Sequence, residues 1–229
     1  MLKNILVFAH CFYTEKAVME SYYAIAPPDL PVNFFYFKER LKFLVTATVL
    51  NDSDLIIDAT RDRDGEYISL IDKIILRNFK GQIIVILKDE RAKKEIDKKG
   101  CLIKIKFIYS VNGLNSELSK AVASIQRDSD RKRVFGALTP CLRKETCGQI
   151  SDYLKCRVQR RVSHAEFTMM TNWKDYKYWA RQVNTSYKSI INRRYTLRKK
   201  LHLDSLTEYY CLVNIISSTS GGQSSVKYK

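Results

Sequence analysis

The residues best suited to chemistry in this chain of 229 residues lie in DLIIDATRDRDGE (54–66). Asp58 closes an apolar run, and Asp62, Asp64 and Glu66 follow at once. A carboxylate at a strand end beside other acids is one way a protein holds Mg²⁺ for phosphoryl chemistry, because Mg²⁺ requires several hard oxygen ligands. After the first apolar run stand Ala9, His10 and Cys11, and the next acid is Glu15. One carboxylate makes a poor Mg²⁺ site, so Asp58 reads first as a strand-end residue in a loop. Six cysteines (Cys11, Cys101, Cys141, Cys147, Cys156, Cys211) form no CxxC pair, and three histidines add no ligand spacing, which argues against zinc. His10 reads as a packed strand-end residue. The expectation is no metal, no cofactor and no enzyme.

A second constellation, NTSYKSIINRRYTLRKKL (184–201), sets four aliphatic residues among six basic ones. It has no Gly or Pro, and a helix places Ile190, Leu197 and Leu201 on one narrow stripe. Lys188, Asn192, Tyr195 and Lys199 fall opposite, Arg194 and Arg198 on one flank, Arg193 on the other. A membrane-surface helix needs a broader apolar face. The remaining readings are a solvated charged face or a surface that binds nucleic acid.

The charge distribution favours the polyanion. The net charge is +16, and residues 127–229 hold 21 of the 40 Lys and Arg but 8 of the 24 acids. Such a field attracts nucleic acid ahead of anionic lipid. No apolar run reaches the length of a membrane span. The opening MLKNILVFAHCF reads as a buried strand rather than a signal peptide. Scattered cysteines without an export signal suit free thiols in the cytoplasm.

Five apolar runs, at 4–9, 32–37, 54–59, 82–87 and 102–109, alternate with helical patterns at 14–25, 38–50, 65–79, 89–100 and 115–126. This is the pattern of a (βα)5 parallel sheet with helices on both faces, over 1–126. Residues 127–161 are charged, weakly periodic and punctuated by Gly136, Pro140 and Gly148. They read as a basic linker with one or two short helices. From 162 to 217 helical patterns come quickly. Ser163 with Glu166 and Ser205 with Glu208 have capping-box spacing. Tyr176, Trp179, Ala180 and Val183 line one helix face, with Trp179 read as core, and NTS makes a tight turn into the basic helix. Two short helices so joined describe a helix-turn-helix. The tail 218–229 is low-complexity and reads as disordered.

Residues 177–208 (KYWARQVNTSYKSIINRRYTLRKKLHLDSLTE) resemble, without a gap, the DNA-binding domain of LuxR/FixJ (NarL)-type regulators. The front half resembles the receiver domain of bacterial response regulators. There Asp58 sits near the phosphoacceptor position and Asp64-Gly65 near the family's Asp-Gly. Ala9, His10 and Cys11 replace the family's acids, and Lys88 its Thr or Ser. The resemblance therefore implies a pseudo-receiver that takes no phosphate through Mg²⁺ chemistry, similar to orphan members of the RcsA or CsgD kind. TRDRDGE also resembles the acidic run of topoisomerase–primase metal sites, but Thr60 replaces the first Asp and the first-strand Glu is absent. The family's Gly after the recognition helix is His202 here, which implies a less relaxed turn.

The resemblance implies a cytoplasmic transcription regulator whose helix 186–201 enters the major groove of double-stranded DNA. Asn192 would read adenine, Ile191 a thymine methyl, and Tyr195 a base edge or phosphate. Lys188, Arg194, Arg198 and Lys199 would bind phosphates. The last helix, with Leu206, Tyr210, Val213 and Ile216, would pack the domain and support a homodimer or a heterodimer with a related regulator. The alternative is a protein-interaction adaptor with only weak DNA binding.

Overall fold

The computed structural model describes residues 3–23, 32–61, 66–77, 79–88, 105–109, 150–171, 176–182 and 184–217. The chain divides into two compact units, one of Met1–Phe43 and Asn51–Pro140, the other of Leu44–Leu50 and Cys141–Lys229.

The sheet is built from β1 (Lys3–Phe8), β2 (Val32–Phe37), β3 (Asp54–Asp58), β4 (Ile83–Leu87) and β5 (Ile105–Tyr109), with α1 (Phe12–Tyr23), α2 (Arg40–Val49) and α3 (Glu66–Leu76) between them. Its order is β2-β1-β3-β4-β5, and every neighbouring pair is parallel. This is the doubly wound order whose direction reverses between β1 and β3. Every residue of β3 and β4 is buried, which is why 55–57 and 83–87 read as unbroken apolar runs. Ile5, Val7, Val18, Tyr22, Ile56, Ile84, Ile86 and Ile108 form one core cluster. The fold is thus α/β and receiver-like. The helical patterns at 89–100 and 115–126, Asp64-Gly65 and the tail lie outside the described residues.

Gly81 sets the entry to β4. Lys80 N and Gly81 N both donate to Asn51 O, at 2.7 and 3.3 Å, and Gln82 N donates to Asp54 Oδ1 at 3.1 Å. The backbone passes so close that a Cβ on Gly81 would lie 1.7 Å from Ser53 O. Only a residue without a side chain fits.

The helical unit contains α4 (Ile150–Arg161), α5 (His164–Thr171), α6 (Tyr176–Gln182), α7 (Tyr187–Lys200) and α8 (Leu206–Ser217). α4 packs on α5 and α8, α5 on α7 and α8, and α6 on α7. Helix α4 falls inside the stretch read as a linker with one or two short helices, and its Leu154 and Val158 are fully buried, as are Met170, Leu197, Leu212, Val213 and Ile216. Of the residues expected on the inner face of α6, Ala180 is buried. The side chains of Tyr176 and Trp179, and Val183, lie outside the described residues.

The caps behave as local chemistry dictates. Ser163 N donates to Glu166 Oε2 at 2.8 Å and Glu166 N to Ser163 Oγ at 3.3 Å, a reciprocal capping box. Glu166 also takes Lys200 Nζ at 2.6 Å, linking α5 to the end of α7. The Lys200 ammonium and the Ser163 donors hold its carboxyl below the usual value of 4.5. At the second box Glu208 N donates to Ser205 Oγ at 3.1 Å, but the Glu208 carboxylate accepts from Asp204 N, at 2.9 Å, one residue further back than expected.

His202 ends α7 in the left-handed region, at φ 58. Leu203 N donates to Arg198 O and His202 N to Lys199 O, both at 3.0 Å. That pair of bonds is the Schellman motif, whose left-handed position favours Gly. A side chain there costs roughly 1–2 kcal/mol. His202→Gly should therefore raise stability by about 1 kcal/mol, less any entropy Gly restores to the unfolded chain. Thermal unfolding of the variant should show a higher midpoint, and an unchanged or lower one would contradict the strain.

Candidate nucleic-acid interface

Helix α6 ends as α7 does. Asn184 adopts φ 47, Thr185 N donates to Ala180 O at 3.0 Å and Asn184 N to Arg181 O at 3.2 Å. Asn tolerates this conformation better than most side chains. Two residues later Ser186 caps α7, accepting from Ser189 N at 3.1 Å. The C-cap of one helix thus runs straight into the N-cap of the next, which fixes a tight helix-turn-helix from NTS.

The side chains of α7 divide as the helical period requires. Ile190, Leu197 and Leu201 are buried, at 1%, 0% and 0% exposure. Lys188, Ile191, Asn192, Tyr195 and Lys199 are all exposed, as are Tyr187 and Arg193. The expected stripe is therefore one continuous outer face. Tyr187 had not been singled out, although its spacing of four from Ile191 places it beside that stripe. Lys200 is drawn aside to Glu166.

The two flanking arginines are placed differently from the open stripe. Arg194 is half-buried, its guanidinium 5.6 Å from the Tyr210 ring centroid and donating to the Tyr210 hydroxyl. This contact turns it toward α8. Arg198 is half-buried too, with its guanidinium carbon 5.0 Å from the Tyr195 ring centroid. Lys199 Nζ lies 4.8 Å from the same ring. The Lys199 ammonium, hydrogen-bonded to the Tyr195 phenol, and the nearby Arg198 together hold that phenol below its ordinary value of 10.0.

On α8, Val213 and Ile216 are fully buried, whereas Leu206 is exposed and Tyr210 half-buried. α8 packs against α4 and α5. Of the four residues expected to pack or to support assembly, only Leu206 and Tyr210 reach the surface.

The other candidate, Asp58, stands at the C-terminal end of β3 beside the crossover of the sheet, where open α/β folds usually bind ligands. It is buried. Its Oδ2 accepts from Thr14 Oγ1 at 2.7 Å, and its Oδ1 accepts from Thr60 Oγ1 at 2.7 Å and Thr60 N at 3.0 Å. Thr14 lies in the first turn of α1, so this bond ties α1 to the end of β3. Ala9 is buried and His10 is exposed, its ring edge-on to Phe8 at 5.0 Å. Burial pushes the Glu15 carboxyl up, partly opposed by Lys38. Lys88 is exposed. Among the described residues no three His, Cys, Asp or Glu come together to hold a metal. The described residues do not fit Mg²⁺, because both oxygens of Asp58 already accept hydroxyl donors.

No helix among the described residues is long and apolar enough to cross a membrane. No family model and no curated protein matches the sequence. Solved structures do. Full-length FixJ from B. japonicum is 14% identical, with a TM-score of 0.44, over 95% of this chain and 98% of that one. RcsB from Salmonella enterica serovar Typhimurium, bound to promoter P1flhDC in the presence of phosphomimetic BeF3⁻, is 19% identical with a TM-score of 0.42, over 94% and 98%. An RcsB response regulator–DNA complex is 19% identical with a TM-score of 0.42, over 96% and 100%.

Proposed function

We propose that this chain is a sequence-specific DNA-binding transcriptional regulator, with 1–126 a pseudo-receiver and the helices after the linker the DNA-binding domain. The observation that carries the reading is the outer face of α7. It presents Lys188, Ile191, Asn192, Tyr195 and Lys199 together, on a helix positioned by a tight turn. Asn192 would pair with adenine N6 and N7, and Ile191 would meet a thymine methyl. Lys188 and Lys199 would take phosphates, with Arg198 beside them. Arg194 joins them only if it leaves Tyr210.

The reading extends to regulation without aspartyl phosphorylation, supported by the hydroxyls that occupy both Asp58 oxygens. It also includes action as a homodimer or a heterodimer with a related regulator, and a cytoplasmic setting that suits cysteines outside any disulfide, such as Cys11, Cys156 and Cys211. It invokes neither catalysis nor cofactor.

Two variants test it against a footprinted promoter. Asn192→Ala should cost about 1–3 kcal/mol on the preferred site and little on random DNA. Lys199→Ala should weaken both, and should lower the slope of log affinity against log salt by about one unit, because a phosphate contact releases counterions. If both bind and discriminate as the wild type does, the basic domain is a weak anchor and the chain is a protein-interaction adaptor.

A further inference from the structure

We infer that Tyr195 is a positioning residue of the α7 surface, holding Arg198 and Lys199 ready for the backbone phosphates of double-stranded DNA. The inference rests on the DNA-binding reading and gives Tyr195 a different task from base contact. Its ring is half exposed, at 50%, on the same stripe as Lys188, Asn192 and Lys199. Arg198 at i+3 and Lys199 at i+4 both fold back over it, at 5.0 and 4.8 Å from the centroid. These are the helix spacings at which side chains meet.

The Arg198 Nε is enclosed without a hydrogen-bond partner among the described residues, and its guanidinium carbon stands over the Tyr195 ring. Cations over an aromatic face are attracted by its quadrupole. A long basic side chain left free loses its rotamer freedom when it meets a phosphate, and that ordering opposes binding. Side chains already gathered on a ring have lost part of that freedom beforehand.

The ring itself reads no base in this arrangement, so its removal should act on all DNA alike. Tyr195→Ala should weaken binding to the preferred site and to random duplex by the same factor, about three- to tenfold, as expected for losing two exposed cation–ring contacts. The salt slope should stay as in the wild type, because both cations remain on the helix. Tyr195→Phe keeps the ring and should lose less. As an independent readout, ultraviolet titration should find one tyrosine ionising below the ordinary value, and Lys199→Ala should move it up. Circular dichroism checks that the variants fold, which the exposure of Tyr195 favours. Loss confined to the preferred site would overturn the inference in favour of base readout, and wild-type affinity in Tyr195→Ala would overturn it outright. Either result with Asn192→Ala and Lys199→Ala still behaving as above would leave the DNA-binding reading intact. If those two variants also behave as wild type, the reading itself falls.

Discussion

Leu154→Ala is expected to cost about 2–5 kcal/mol, the usual range for truncating a fully buried leucine and leaving a cavity. The side chain is 0% exposed, on a helix that packs against α5 and α8. A residue in a true linker would tolerate the change within a few tenths. Urea unfolding followed by helix signal measures it, and a loss below about 0.5 kcal/mol would mean that Leu154 contributes no more than a linker residue. Fragments supply a second arm. One starting at residue 150 should fold more stably than one starting at 162, since the shorter one exposes what Leu154 and Val158 cover, each worth about 1.5–3 kcal/mol.

The reason the burial of α4 is hard to read from sequence is plain in its residues. ISDYLKCRVQRR has an apolar stripe only at Ile150, Leu154 and Val158, a strict spacing of four drowned by charge. A narrow stripe buries little per residue, so pattern reading weighs it below the charge around it. The strands gave the opposite case. Buried on both faces, they stand out as apolar runs, whereas their order in the sheet comes only from the structure. Helix α7 was legible for a third reason. Its one-sided wheel sorts Ile190, Leu197 and Leu201 from Lys188, Asn192 and Lys199 without any knowledge of neighbours.

What could not be read were contacts between distant elements. Arg194 and Arg198 look alike on a wheel, yet one reaches Tyr210 on α8 and the other Tyr195 on its own helix. The Lys200 bond to Glu166 likewise depends on how α5 lies against α7. Side chains 16 and 34 residues apart carry no local period. Asp58 belongs to the same class. Its position at a strand end was visible, but its partner Thr14 is 44 residues away, and no spacing rule joins a strand end to the first turn of another helix.

That pairing supports the remaining large effect. Thr14→Val keeps the shape of the side chain and removes the hydroxyl, leaving Asp58 Oδ2 buried without that donor. A lost hydrogen bond to a charged group costs about 1.5–3 kcal/mol. Thr14→Ser, which restores a donor at the same place, should recover most of it. Urea midpoints of the three proteins decide the matter, and equal stability of Val and Ser variants would show that the hydroxyl contributes nothing. The same geometry bears on signalling. An acceptor aspartate must offer an oxygen to the incoming phosphoryl group beside a metal, and here both oxygens accept threonine hydroxyls while Ala9, His10 and Cys11 supply no acid ligand. Incubation with acetyl phosphate and Mg²⁺ should therefore leave the intact mass unchanged. A stoichiometric phosphate adduct that disappears in Asp58→Ala would show that the threonines release the carboxylate on demand, and that the front half is a working receiver.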